Sequence, residues 1–569
     1  MKALFLLPVI LSCTLIANSQ NRYDVVIDEI MADPTPQIGL PNNEWIELKN
    51  TTTAPINLQN WRIGDATSQS GPMPNFILQP DSFVVVCTGS AVAALSAYGT
   101  TISVTSFPSL DNAGDQLFLK AATGSIIHAV SYTDSWYQNA VKGNGGWTLE
   151  MVDTKSPCAG GDNWKASVDP SGGTPGKKNS VDAINTDQTP PSLLRTYTID
   201  SVTIIAVFDE PIDSSLGATI SNYTIDGGLS IVAATTISPL FDQVQLKLNS
   251  KMSLPPVYHI TAPHITDCKG NNIRSNNNEK AGLPEDAAPL DMVVNEILFN
   301  PQSNGYDYIE FYNRSNEIFD ASKMYVANRN SNNAISSVTL LTSMSWLIFP
   351  GDYIVSTENS ASLQGNYLVK NPENVLEVSS LPSFPDDNGY VLLLNLQGDV
   401  VDEVDYDHSW HFKLIDNEDG VALERIDPEG TSQDPNNWHS AASTAGYGTP
   451  TYKNSQYKQP PGINATIEIT PKVFSPDNDG RDDITTVQYK VADPGFAANV
   501  TIFDAAGRPV RNLVQNAILG SSGYWNWDGL DDKGRKLPVG TYIVYTEIFN
   551  LQGKKQKFKN TVVLARPLN

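Results

Sequence analysis

The chain has 569 residues, enough for three to five domains of ordinary size. Hydrophobic residues make up 40%, which fits packed cores and excludes wholesale disorder. The formal net charge of −25 repels phosphate backbones, so nucleic acid is not an expected partner, while divalent cations or plain solubility suit it.

Four cysteines in a chain this long do not make a disulfide framework, and no pair has metal-ligand spacing. Cys13 falls in the leader. Cys87 ends the apolar run from Phe83 and reads as a buried strand residue; Ser356 is its expected counterpart later in the chain. Cys158 follows a proline in a loop, and a Cys87–Cys158 bridge is compatible with these positions.

Residues 1–19 have the pattern of a signal peptide: Lys2, an apolar run from Ala3 to Leu11, and small residues at Ala17 and Ser19. A lipoprotein signal ending at Cys13 is the alternative, though it would leave Leu15 and Ile16 exposed. Export follows from either, and no later run is long enough to span a membrane.

From Asp24 to Ser180 the chain is written in a form that recurs later. Asp28-Glu29-Ile30 is matched by Asn295-Glu296-Ile297, and Glu44-Trp45-Ile46-Glu47-Leu48 by Asp307-Tyr308-Ile309-Glu310-Phe311. Ser135-Trp136 is matched by Ser409-Trp410, and Leu149-Glu150 by Leu423-Glu424. Gly173-Thr174-Pro175 to Ser180 is matched by Gly448-Thr449-Pro450 to Ser455. Shared order and spacing predict two copies of one domain. Short β-rich runs separated by Gly, Pro, Asn and Asp clusters predict a sandwich. The alternation in Glu44–Leu48 predicts a half-buried strand.

These residues resemble the lamin tail domain. The likeness rests on the Asp-Glu-Ile opening, Trp45-Ile46-Glu47-Leu48-Lys49-Asn50, Leu58-Gln59-Asn60-Trp61, Asp111-Asn112-Ala113-Gly114-Asp115, Asn163-Trp164 and the closing Gly-Thr-Pro-Gly. It implies an Ig-like β-sandwich over 23–180 and again over 291–455. The second copy departs from the pattern with Met324-Tyr325-Val326 in place of the Leu-x-x-Trp strand.

A polar linker, 182–191, leads to Val207-Phe208-Asp209-Glu210-Pro211, Asn222-Tyr223 and Asp267-Cys268-Lys269-Gly270-Asn271. This order resembles bacterial Ig-like domains of surface-layer and other envelope proteins, and implies a spacer sandwich over 190–280. The linker from Gln456 to Gly462 contains Pro460-Pro461, and such stiffened linkers predict strung-out modules. The last module, 464–569, carries Asp477-Asn478-Asp479-Gly480, Trp525-Asn526-Trp527-Asp528-Gly529 and Asp531-Asp532-Lys533-Gly534-Arg535. It resembles the Ig-like domain of flagellar hook-capping proteins and is similar to C-terminal sorting domains of type IX secretion; a sorting role is what that resemblance implies. The fold class expected is all-β, as tandem Ig-like sandwiches.

Glu29 with Glu47, and Glu296 with Glu310, are candidate acid–base pairs, set against a structural role as strand-end carboxylates accepting backbone hydrogen bonds. No His or nucleophile stands near them in sequence, which favours structure. The six histidines form no His-Glu-x-x-His; His408 and His411, three apart, are candidates for a transition metal, set against surface decoration, which Asp134 and Tyr137 at the matching places of the first copy favour. Asp477, Asp479 and Asp483 alternate oxygen donors around Gly480 as a calcium loop does; an Asx-rich turn is the competing reading. Trp136 and Trp410 are candidates for stacking on sugar faces, set against core packing.

The expectation is a non-enzymatic, exported structural or adhesive protein of the cell surface or secreted matrix, with no cofactor beyond calcium. Envelope or matrix components, including polysaccharide, are its expected partners. A polymer-binding module and a secreted hydrolase are the alternatives.

Overall fold

Turn-rich punctuation between short apolar runs produces strands of two to eleven residues throughout the computed structural model, which describes residues 20–254, 257–275, 277–415, 417–458, 465–551 and 554–566. The leader, the lipoprotein alternative at Cys13 and the Pro460-Pro461 part of the second linker lie outside the described residues. No helix among the described residues is long and apolar enough to cross a membrane. The chain is all-β, and it divides into two compact units, one reaching to Lys251 and taking in Tyr258–Glu279, the other running on from Lys280.

In the first unit the opening repeat contributes β1 (Val25–Met31), β2 (Trp45–Asn50), β3 (Ile56–Asn57), β4 (Arg62–Gly64), β5 (Ile77–Leu78), β6 (Phe83–Thr88), β7 (Thr101–Val104), β8 (Gly114–Lys120), β9 (Ile126–Thr133), β10 (Leu149–Met151) and β11 (Trp164–Ala166). One sheet runs β11-β10-β1-β2-β6-β7, ending in a parallel pair; β4-β8-β9 form the facing sheet. Between them lie Ile46, Leu48, Trp61, Val84, Leu117, Leu119 and Trp164, all buried. A bulge between Ile27 and Glu29 shifts the β1–β2 register by one residue.

The large sheet is covered on both faces. Its outer face packs Met31, Trp45, Val85 and Cys87 under a one-turn helix, Val92–Leu95. Trp45 to Leu48 is therefore buried at every residue, and the half-buried strand expected from alternation is corrected. Alternation marked two different faces, but both are dry.

After residue 186 a second sandwich follows in the same unit. Leu193–Asp200, Thr203–Phe208, Gln243–Leu248 and Ile231–Ile237 hydrogen-bond in that order, and Thr224–Ile225 pairs with Tyr258–Thr261. The reading of modules strung out on linkers alone fails inside this unit. Arg22 Nη1 donates to Ile212 O at 3.2 Å, its guanidinium lies 4.2 Å over Phe241, and Lys269 Nζ reaches Lys155 O at 2.6 Å. A disulfide joins Cys158 to Cys268 across 110 residues. Cys87 is a free, buried thiol, so the Cys87–Cys158 pairing is corrected.

The second unit begins with the other repeat. Its large sheet runs Trp438–Ser440, Leu423–Arg425, Met292–Leu298, Tyr308–Asn313, Tyr353–Thr357, Val375–Glu377, the order of the first repeat, and it too ends in a parallel pair. The bulge recurs between Val294 and Glu296. Tyr308 opposes Thr357 as Trp45 opposes Cys87, so Thr357, not Ser356, takes the place of Cys87. Met324 is buried in the core where the first repeat has Trp61. The final sandwich packs Thr466–Thr470, Thr485–Lys490 and Ser522–Trp527 against a five-stranded sheet around Phe474, Val500, Trp527 and Val544.

Candidate functional site

Three carboxylates meet on the outer face of the first repeat's large sheet. Glu29 stands opposite Glu47 on β2 and opposite Glu150 on β10, and pleating puts such cross-strand neighbours on one face. All three are 0% exposed. The second repeat brings Glu296, Glu310 and Glu424 together through the same register, again at 0% exposure. Glu29 and Glu296 sit in the middle of a strand, which corrects the strand-end expectation.

The cover over these carboxylates is the closing Gly-Thr-Pro segment. Thr174 N donates to Glu29 Oε1 at 2.7 Å, Gly176 N to Glu47 Oε2, and Val181 N to Glu150 Oε2 at 3.1 Å. In the second repeat Thr449 N reaches Glu296 Oε1 at 2.9 Å, Thr451 N reaches Glu310 Oε2 at 2.6 Å, and Gln456 N reaches Glu424 Oε2 at 2.7 Å. Each segment thus lends backbone donors to three acids of one sheet, a role sequence reading gave to Glu29 and Glu47 but not to Glu150. Its signal was present: Leu-Glu recurs in both copies. Burial, with the neighbouring Glu150 charge behind it, pushes the Glu29 carboxyl well above its usual range. Burial and the Glu29 charge do the same to Glu47. Burial and Glu424 lift Glu296 to about 8.

Among the described residues, two acidic groups bring oxygens to within 4.8 Å of one another. One is the expected Asp477, Asp479 and Asp483, the first two exposed. Their oxygens also close the loop: Asp483 accepts from Asn478 N at 2.6 Å and Gly480 N at 2.9 Å, and Asp479 accepts from Arg481 N at 2.7 Å. Asn478 takes φ 63°, which Asn tolerates better than most residues. The donors are the hard oxygens calcium takes, and the chain itself supplies three of the six to eight required.

The other group, Asp187, Glu210 and Asp267, escaped sequence reading because its members come from the linker and from two separate turns. Asp267 Oδ1 accepts from Lys269 N and Asn271 N, both at 2.8 Å, while Asp187 Oδ2 is buried without a partner. Burial, then the Asp267 and Asp187 charges, raise Glu210 to about 8.

Trp136 and Trp410 are half-buried. Each lies against a buried tryptophan, Trp164 at 6.3 Å and Trp438 at 6.2 Å between ring centroids. His411 is not surface decoration: it is 4% exposed, packs on Phe299 and has Nδ1 2.8 Å from Ser440 Oγ. The first copy fills the matching place with buried Tyr137, so the position belongs to the core in both. His408 remains exposed and lies 3.5 Å from Glu418.

A family model described as the Lamin Tail Domain matches residues 18–134. That stretch holds β1 to β9 and stops before the closing segment. No curated protein matches the chain. Among solved structures, the N-terminal part of the bacterial S-layer protein SbsC is 14% identical over 29% of this chain and 40% of its own, with a TM-score of 0.16; this chain thus spans under half of it. A DUF4876 family protein from Bacteroides thetaiotaomicron VPI-5482 is 11% identical over 37% of this chain and 85% of its own, at 0.17. PorZ, an essential surface component of the type-IX secretion system of Porphyromonas gingivalis, is 9% identical over 92% of this chain and 74% of its own, at 0.17.

Proposed function

We propose that the chain is a non-enzymatic, exported structural component of the cell surface or secreted matrix, built from two lamin-tail-like sandwiches, an Ig-like sandwich between them and a further one at the end. The observation that carries this reading is the fate of the most acid-rich positions. In both repeats the carboxylates are fully buried and engaged by the closing segment, so no reacting group could approach them. Catalysis needs a general acid or base within hydrogen-bond reach of substrate. The Cys158–Cys268 disulfide supports an oxidising compartment.

Display is the mechanism this reading implies. Cross-linked, doubly covered sandwiches hold their loops in fixed places, and repetition adds avidity to weak contacts with envelope or matrix polymers. The last sandwich offers Asp477, Asp479 and Asp483 to calcium. Surface proteolysis of intact cells, with fractionation and intact mass, tests the placement; recovery in the cytoplasm with Cys158 and Cys268 reduced would refute it. A hydrolytic activity abolished by Glu47→Gln in a folded chain would establish the enzyme alternative instead.

A further inference from the structure

The two repeats use one backbone but do not supply the same donors to their buried acids. Asn295 in the second bulge gives its amide to Glu310 Oε1 at 2.8 Å and to Asn454 Oδ1 at 2.6 Å. The residue at the same place in the first bulge is Asp28. The equivalence is fixed by the backbone. Asn454 Nδ2 donates to Asn295 O and Arg425 O, both at 2.9 Å, and Asn179 Nδ2 donates to Asp28 O at 3.0 Å and Met151 O at 2.9 Å.

Two other donors differ: Thr449 Oγ1 lies 2.8 Å from Glu296 Oε2 while Thr174 Oγ1 reaches Glu150 and not Glu29, which leaves Glu29 Oε2 bare, and the last is replaced. Tyr308 OH reaches Glu296 Oε1 at 2.5 Å, and where the first repeat has Trp45, Thr148 Oγ1 reaches Glu29 Oε1 at 2.6 Å. The amide of Asn295 has no such replacement. Asp28 Oδ1, Glu29 Oε2 and Glu47 Oε1 are all buried without a partner, in residues no more than 1% exposed. In the second repeat every oxygen of Glu296, Glu310 and Glu424 has a polar group within hydrogen-bond distance.

No Lys, Arg or His among the described residues lies within ion-pair distance of Asp28, Glu29, Glu47 or Glu150. Lys49 on β2 acts on Asp28 only through space and is paired with Asp81 at 3.5 Å; Asp81, Asp182, Glu150 and, toward Glu47, Glu29 add negative charge around the site. An ionised carboxylate offers only acceptors, and burying it among acceptors is costly. A carboxylic acid offers the missing O–H.

We propose that the first repeat carries a proton-binding site at Asp28: in the folded chain Asp28 is a neutral acid whose O–H fills the place of the Asn295 amide and donates to Glu47 Oε1, the counterpart of Glu310 Oε1. The second repeat has an amide there and holds no such proton. Burial, opposed in part by Lys49, raises Asp28 to about 7. A carboxyl raised on folding stabilises fully below its unfolded value and loses that contribution as pH rises through the folded one. Asp28 therefore lowers the folding equilibrium of the first unit by about a thousandfold between pH 4 and pH 8.

The test is infrared spectroscopy of the whole mature chain at pH 6, comparing wild type with Asp28→Asn, beside thermal unfolding from pH 4 to pH 8. The expected result is a protonated-carboxyl band in wild type that Asp28→Asn weakens by one carboxyl, the buried glutamates keeping the remainder, a first transition in that variant with less pH dependence, and a new pH dependence of the second unit in Asn295→Asp. Should Asp28→Asn not fold, carbon-13 titration of the aspartates in wild type and in Asp307→Asn decides, since burial raises Asp307 to about 7 as well and an aspartate besides it must titrate near neutrality. An unchanged band in Asp28→Asn, aspartates other than Asp307 that all titrate below pH 5, or a metal ion retained by wild type but not by Asp28→Asn in native mass spectrometry would overturn the proposal.

Discussion

Removing the Cys158–Cys268 bridge with the Cys158→Ser/Cys268→Ser double variant should strongly destabilise the first unit. The bridge spans 110 residues, from the loop after β10 in the first repeat to a turn of the next sandwich. In the chain-entropy treatment, closing a loop of that length in the unfolded state is worth about 5 kcal/mol. Each serine also brings a hydroxyl where a bonded sulfur stood, and Cys158 is buried, so this change adds to the loss and does not offset it. For a unit of this size each kcal/mol moves Tm by about 2–4 °C, so the first transition should fall by about 10–20 °C while the second stays in place. Calorimetry of the full chain, oxidised and in the variant, measures this directly. A first transition displaced by less than about 2 °C would refute the reasoning, as would peptide mapping that links Cys158 to Cys87.

Arg425 is buried against Asp402 at 2.9 Å, so Arg425→Leu strands that carboxylate and should cost the second unit about 3–5 kcal/mol, read from the denaturant midpoint. Trp136→Ala removes a half-buried ring that packs on Trp164; it should cost about 2 kcal/mol of first-unit stability and leave binding to a glycan array unchanged. Thr449→Val deletes a hydroxyl 2.8 Å from both Glu296 and Glu424, and should destabilise the second unit by about 1–3 kcal/mol, seen as faster hydrogen exchange in the closing segment. Calorimetric titration of the whole chain with calcium should give heat that Asp479→Asn diminishes; no heat at millimolar calcium would remove the ion from Asp477, Asp479 and Asp483.

The sequence showed the repeat, and with it the all-β class, because recurrence of Glu-Ile, Leu-Glu and Gly-Thr-Pro survives divergence elsewhere. It could not show that the strands are dry on both faces, since alternation along Trp45–Leu48 has the same form whether one side meets water or a covering segment. It ranked the cysteines by local burial, whereas the pairing of Cys158 with Cys268 depends on how two sandwiches meet inside one unit. His408 and His411 read as surface decoration because the first copy has Asp134 and Tyr137 at the matching places, yet Phe299 from the opening strand region packs on His411. The roles of Asp28 and Asn295 were visible as letters and unreadable as chemistry until the register showed which oxygens each must face.

The segment that ends each repeat is bonded to the strand that begins it: Thr174 and Asn179 hold Glu29 and the Asp28 carbonyl, and Thr449 and Asn454 hold Glu296 and the Asn295 carbonyl. Tension on the two ends of a repeat would therefore load this short set of hydrogen bonds before it reached the apolar interior. Each sandwich resists pulling at its seam, where entry and exit of the chain are fastened side by side.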